Sequence, residues 1–184
     1  MTGWRRWVLR GLATLAVLLP AMLICVYFIN PFGARSLDPR QRIIGFAPYR
    51  MPSSAMLPTL EPGSIVIVRA GAYREHGPAR GDIVVFSNPA DGNHWLQRVI
   101  GLPGETVSIE QGRVLIDGRG LSEDYVDPGN AAMAYSFHME PVEVPENSYL
   151  LMGDNRDNSM DGRLTGPIHG DALVGQVVEI LAPE

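Results

Sequence analysis

Hydrophobic and polar positions divide the chain into two unequal parts. From Gly11 through Ile29 no charged residue occurs. A helix over this run would be about 30 Å long at ~1.5 Å per residue, which matches the hydrocarbon thickness of a bilayer. Trp4 and Trp7 stand at one end and Tyr27 near the other, where interfacial anchors often lie. Pro20 falls inside the run and is tolerated in a membrane helix, which it can kink. The run is long for the apolar core of a cleavable signal peptide, and no small-residue cleavage site follows it. Residues 1–10 therefore read as an N-terminal flank and 11–29 as a transmembrane helix. Residues 30–41, with Pro31, Gly33 and Pro39, read as a juxtamembrane linker, and 42–184 as one further domain.

In that domain the pattern is β. Ile65–Val68 is a β-branched run opened by the turn Glu61-Pro62-Gly63. Asp82–Phe86 and Trp95–Ile100 follow, each closed by glycine, proline or asparagine. Val107–Ile109 and Val114–Ile116 flank Gln111-Gly112 and predict a hairpin. Ser148–Met152 and Ala172–Leu181 complete the predicted strands. No segment after the apolar run sustains a helical period. Residues 121–144 mix small, acidic and aromatic residues and predict a hairpin or a mobile flap.

Composition narrows the picture. The net charge of −5 argues against nucleic acid as the main partner. Cys25 is the only cysteine, so no intrachain disulfide can form. The 20 glycines and 15 prolines favour turns and short strands over a helical bundle. All 15 basic residues are arginine, and lysine is absent. Arg5, Arg6 and Arg10 precede the apolar run, and Arg35, Arg40 and Arg42 follow it. The first three lie nearer the membrane with no acid among them, which favours a cytoplasmic N-terminus.

Four segments carry the candidate chemistry. The first is Met51-Pro52-Ser53-Ser54-Ala55-Met56-Leu57-Pro58-Thr59-Leu60. The second, Arg80-Gly81-Asp82-Ile83-Val84-Val85-Phe86, begins a strand. The third runs Leu96-Gln97-Arg98-Val99-Ile100-Gly101-Leu102-Pro103-Gly104-Glu105. The last is Gly153-Asp154-Asn155-Arg156-Asp157-Asn158-Ser159-Met160-Asp161-Gly162-Arg163. Its acids and amides suit a tight polar turn closed by Asx bonds and arginine pairs. It lacks the glycine spacing and closing glutamate of a calcium loop. Together and in order, these segments resemble the boxes of type I signal peptidases: P-S-x-S-M-x-P-T-L, R-G-D-I-V-V-F, K-R-V-I-G-L-P-G-D and G-D-N-R-D-N-S-x-D-S-R.

That resemblance implies a mostly β, signal-peptidase-type domain behind one N-terminal transmembrane helix. It implies a single-pass protein of the bacterial cytoplasmic (inner) membrane with its β domain outside. The family role is cleavage of signal peptides from exported preproteins, with no metal or cofactor. Its groove takes an extended peptide as an added strand. Ser53 matches the family's oxyanion-hole serine, and Met56, Pro58, Arg98, Asp154, Asn155, Arg156, Ser159, Asp161 and Arg163 match residues that line or support the groove. Residues 121–144 match a variable insertion, here short.

The two positions that perform the family's chemistry depart from it. Ala55 stands at the nucleophile and Gln97 at the lysine that serves as general base. A methyl group has no lone pair with which to attack a carbonyl, and an amide does not take up a proton at working pH. The expectation is an inactive homologue that binds signal peptides or preproteins, or partners an active peptidase. One alternative is an active peptidase using another nucleophile such as Ser53. The other is a structural membrane protein that keeps only the fold. If residues 53–55 form a strand, Ser54 points away from Ala55 and Ser53 shares its face. His94 lies three positions before Gln97 and so on the opposite strand face, and His76, His138 and His169 read as surface loop residues. The register of the boxes sets Ala55 against Gln97, near Ser53 and Ser159.

Overall fold

The computed structural model describes residues 3–183. Met1, Thr2 and Glu184, at the outer ends of the flank and of the β domain, lie outside the described residues. Helix α1 runs Gly3–Ile29 and contains Pro20. Its best window has a mean hydropathy of 2.5, and none of that window is buried against the rest of the chain. It is long and apolar enough to cross a membrane. It begins earlier than the apolar run, because Trp4, Arg5, Arg6 and Arg10 continue a helix once it is nucleated.

A second helix was not expected. Helix α2, Pro39–Ile44, occupies the end of the segment read as linker. Its stops are both local. Asp38 caps it by accepting from the Arg40 N–H, Pro39 opens it, and Gly45 closes it at φ 88°. The Arg42 guanidinium lies 4.9 Å from the Tyr27 ring centroid, which ties α2 to the end of α1.

The strands follow as β1 (Phe46–Arg50), β2 (Ile65–Ala70), β3 (Ile83–Ser87), β4 (His94–Gly101), β5 (Thr106–Glu110), β6 (Arg113–Ile116) and β7 (Arg119–Gly120). They continue as β8 (Met139–Glu143), β9 (Ser148–Met152), β10 (Ile168–His169) and β11 (Leu173–Leu181). Helices α3 (Ala134–Phe137) and α4 (Gly162–Thr165) are single turns. One sheet has the order β1-β2-β11-β3-β4-β9-β10, and a smaller one the order β7-β6-β5-β8. The β5–β6 hairpin turns at Gln111 and Gly112, both at positive φ (51° and 77°), which suits the right-handed twist of the strands.

The large sheet is buried on both faces through its middle. Along β3, Val84 and Phe86 enter one apolar cluster with Val99 and Leu151, while Val85 enters another with Met51, Met56, Leu60 and Val66. Along β9, Leu150 and Met152 turn instead to a third cluster, shared with Ile109 and Val114 of the small sheet. This two-sided burial explains why β3 and β9 read as continuous apolar runs rather than alternating ones.

The large sheet also curls. Its edge strand β1 comes round to the start of β4, where the Tyr49 and His94 rings meet edge-on at 5.3 Å. Strand β1 pairs only with β2, and β4 pairs with β9 only from Arg98 onward. Two strand edges, residues 46–50 and 94–97, therefore flank one groove without a ladder partner among the described residues.

Residues 121–144 form neither of the expected structures. They contain a short 3-10 turn at Pro128–Asn130, helix α3 and strand β8, which pairs with β5. The reason is a carboxylate far along the chain. Asp157 accepts from the backbone N–H groups of Ala132 and Met133 at 3.0 and 2.9 Å. Burial works to raise the Asp157 pKa, but polar neighbours, among them the Ala132 and Met133 N–H groups that donate to it, outweigh burial and hold the carboxyl below its usual range. That contribution is present above the ordinary aspartate range and is lost as pH falls through the lowered pKa. Asp157→Ala is expected to speed amide exchange at Ala132 and Met133 while leaving β9 protected. Unchanged exchange at those amides would assign the docking of this segment to other contacts.

Candidate active site

The groove floor is built around the segment 51–60, which folds as a run of tight turns and not as a strand. The expected alternation of Ser53, Ser54 and Ala55 therefore does not hold. Pro52 and Pro58 account for the break, since neither can donate to a ladder. Leu60 and Met56 anchor the turn by burial, and Ala55 packs on the same cluster.

The turn after β9 pins this segment in place. Asn155 donates its backbone N–H to Ala55 O at 3.0 Å and its side-chain amide to Ser54 O at 3.1 Å. Asn158 donates to Ser54 Oγ at 2.6 Å. Thr59 donates to Asp154, whose two oxygens also accept from Arg98 Nε and Nη2 at 2.8 and 2.6 Å. The Asp154 side chain is fully buried and that of Arg98 only 11 % exposed. Arg98 is a forked donor that carboxylate geometry matches, and its guanidinium lies 3.9 Å from the Tyr125 ring centroid. Asp161 accepts from the Gly153 N–H at 2.9 Å and from Arg163 at 2.8 Å.

Arg156 and Arg163 tie the floor to the 121–137 segment, since Arg156 Nε also donates to Gly153 O at 3.1 Å and Arg163 to Asp161. Arg156 reaches Glu123 with two bonds of 3.0 and 2.6 Å, and Arg163 donates to Ser136 at 3.1 Å. Glu123, Tyr125, Ser136, Thr59 and Asp157 thus belong to the support of the site. Sequence reasoning missed their roles. The last box holds three acids for two arginines, so no count within it could have pointed to Glu123.

Gln97 and Ala55 approach the same point from different elements. Gln97, only 3 % exposed, donates Nε2 to Met160 O at 2.8 Å. One residue beyond the paired Arg98 and Met152, Gly153 stands level with Gln97. A Cβ on Gly153 would lie 2.3 Å from Ser159 Oγ and 2.5 Å from Ala55 O. Ser159 Oγ is buried and has no hydrogen-bond partner among the described residues. Ala55 O and Ser159 Oγ thus crowd the bare α-carbon of Gly153, and the register of β4 and β9 brings Gln97 level with it. Ser53 is exposed, with its Oγ 3.5 Å from the Ala55 N–H. Met56 is fully buried and Pro58 exposed in the turn. All four histidines are exposed, and His94 meets Tyr49 and not a serine.

Comparison with known proteins places this arrangement. The family described as "Signal peptidase, peptidase S26" matches residues 4–182. The chain belongs to the signal peptidase family. Signal peptidase I of Leptolyngbya laminosa is 40 % identical over 136 residues, covering 70 % of this chain and 64 % of that protein. Probable signal peptidase I-2 of Synechocystis is 40 % identical over 133 residues, covering 68 % of this chain and 58 % of its own length. The chain therefore spans about three-fifths of the length of these relatives. The crystal structure of a signal peptidase I from Enterococcus faecalis is 32 % identical, with a TM-score of 0.48 over 55 % of this chain and 97 % of that one.

Within this signal peptidase domain, the serine hydroxyls around Ala55 make no hydrogen bond to a titratable side chain among the described residues. Ser53 faces solvent, Ser54 Oγ receives the Asn158 amide, and Ser159 Oγ has no partner. The acids beside them are already engaged by arginine or backbone. Two substitutions test how tightly the floor is held. Asp154→Ala leaves the Arg98 charge buried and unpaired, and is expected to lower stability by ~3–5 kcal/mol in chemical denaturation. Gly153→Ala drives a methyl into Ala55 O and Ser159 Oγ, and is expected to cost ~1–3 kcal/mol. A loss within the error of measurement for both variants would show that the floor is free to relax.

Proposed function

We propose that this signal peptidase family protein holds extended signal-peptide segments in its groove without cutting them. In this reading α1 crosses the bacterial cytoplasmic membrane with its N-terminus cytoplasmic, and the β domain lies outside. Its ligands are signal peptides or preproteins, and a lysine-containing peptidase of the same family is a partner in their processing. The observation that carries the proposal is the pair Ala55 and Gln97 in a chain without lysine. Acyl transfer needs a nucleophile and a base that act as a unit. Neither is present at those positions, and no distant lysine can substitute.

The groove itself supports binding. The free edges at 46–50 and 94–97 offer backbone donors and acceptors to an inserted strand, the mode of β-augmentation. The turn segments that shape the floor keep their bonds, so the loss of chemistry is not accompanied by loss of scaffold.

Purified protein is expected to show no cleavage of a model preprotein under conditions where an active homologue cuts it fully. Processing that disappears in a Ser53→Ala variant would replace the proposal with an active enzyme using Ser53.

The double substitution Ala55→Ser with Gln97→Lys is expected to restore weak cleavage, and neither change alone should do so. A lysine at the buried position 97 would be desolvated, which disfavours its charged form, and Ser159 Oγ stands ready to accept a bond from it. Rescue should strengthen at alkaline pH, where more of the lysine is neutral and able to take the serine proton. A folded double variant that binds signal peptide but never cuts would mean that the floor geometry has drifted. One that neither binds nor cuts would favour a purely structural membrane protein.

A further inference from the structure

Away from the groove, a cavity of about 390 Å³ opens between the segment that follows α1, the turn after β2 and the turn after β10. Its lining is rich in donors. Arg35 comes from the first segment, Arg74 and His76 from the second, and His169 from the end of β10, while Glu75 and Asp171 add carboxylates. Tyr149 of β9 adds a phenol hydroxyl, and Gly77 lets the turn close on it, since a Cβ there would lie 2.1 Å from Tyr149 Oη.

Both guanidiniums are held, Arg35 beside one carboxylate and Arg74 beside none among the described residues. Arg74 donates to Pro31 O at 3.3 Å and lies across Gly33, where a Cβ would meet its Cδ at 2.5 Å. It has no carboxylate partner among the described residues. Arg35 donates to Gly170 O, and its Nη2 stands 3.5 Å from Asp171 Oδ1. Asp171 also faces His169 Nδ1 at 3.3 Å. Each arginine therefore retains outward N–H groups, and a guanidinium fork matches a phosphate as well as it matches a carboxylate.

The place of the cavity adds the second argument. Pro31, which Arg74 grips, lies just past Ile29, the last residue of α1. If α1 spans the bilayer, the phosphate layer lies beside this cavity. A guanidinium fork held at that depth has the geometry to grip a headgroup phosphate on either face of a bilayer. We infer that the cavity binds a phosphate ester, and that a phospholipid headgroup supplies it. The lipid part of this inference rests on the reading of α1 as a span; the phosphate part does not.

The test uses the full chain in maltoside micelles, titrated with dihexanoyl-phosphatidylglycerol, dihexanoylglycerol and inorganic phosphate. The phosphatidylglycerol is expected to bind, the phosphate-free dihexanoylglycerol not to bind, and inorganic phosphate to bind more weakly. The Arg35→Gln/Arg74→Gln variant should lose affinity for phosphatidylglycerol about tenfold. Arg74→Lys, which keeps the charge but not the fork and disturbs less of the fold, should fall between the two. Equal binding of phosphatidylglycerol by wild type and both variants, or equal binding of dihexanoylglycerol, would overturn the site. Inorganic phosphate binding as tightly as the lipid would overturn the headgroup as its source. Extraction of the protein from membranes by alkaline carbonate would remove the span, and with it the lipid part, without touching the phosphate measurement.

Discussion

The buried pair of Arg98 and Asp154 is the constraint on which the site depends. It joins β4 to the turn after β9, and through Thr59 it reaches the segment that carries Ala55. A buried ion pair is a poor source of net stability, because desolvation offsets most of the attraction. Its value here is register. A charge fully removed from water tolerates one arrangement of partners, so β4, residues 54–60 and residues 153–158 can assemble in only one way. Asn155 and Asn158 then fix Ser54 and Ala55 by bonds that involve no ionised group.

The scaffold and the chemistry separate cleanly along this line. Residues that hold the floor keep their partners: Asp154 on Arg98, Asp161 on Arg163, Asn155 on Ala55. In the proposed reading, Ala55 and Gln97 are the positions without reacting groups. Gln97 fills its site with a bond to Met160 O, yet leaves Ser159 Oγ buried and without a partner. Among the described residues Ser159 Oγ shares that state with Gln41 Nε2 and Tyr49 Oη. The proposed reading of the groove, as a peptidase site without its reacting groups, rests on Ala55 and Gln97 in a chain without lysine.

Much of the fold was legible because its signals are local. The apolar run gave α1, Gln111-Gly112 gave the β5–β6 hairpin, and β-branched runs bounded by glycine and proline gave β2, β3 and β4. Helix α2 carried equally local signals in Asp38, Pro39 and Gly45, but six residues are too few to show a helical period. Residues 51–60 predict no element, and a strand is considered only for 53–55. Only the contacts from residues 154–158 show them to be turns. Residues 121–144 were unreadable for the same reason: Asp157, Arg156 and Arg163 organise them from the far end of the sequence. The candidate site followed the same rule. Its boxes were visible in order, whereas Glu123, Tyr125 and Ser136 support it through distances no local pattern encodes.

The central claim is that an intact peptide groove outlives its chemistry. Amide hydrogen exchange, measured with and without a signal peptide carrying an uncleavable bond, tests it most directly. The account predicts that peptide slows exchange along both free strand edges, at residues 46–50 and 94–97, and leaves the small sheet unchanged. Binding that protects neither edge, or no binding to a folded protein, would contradict it.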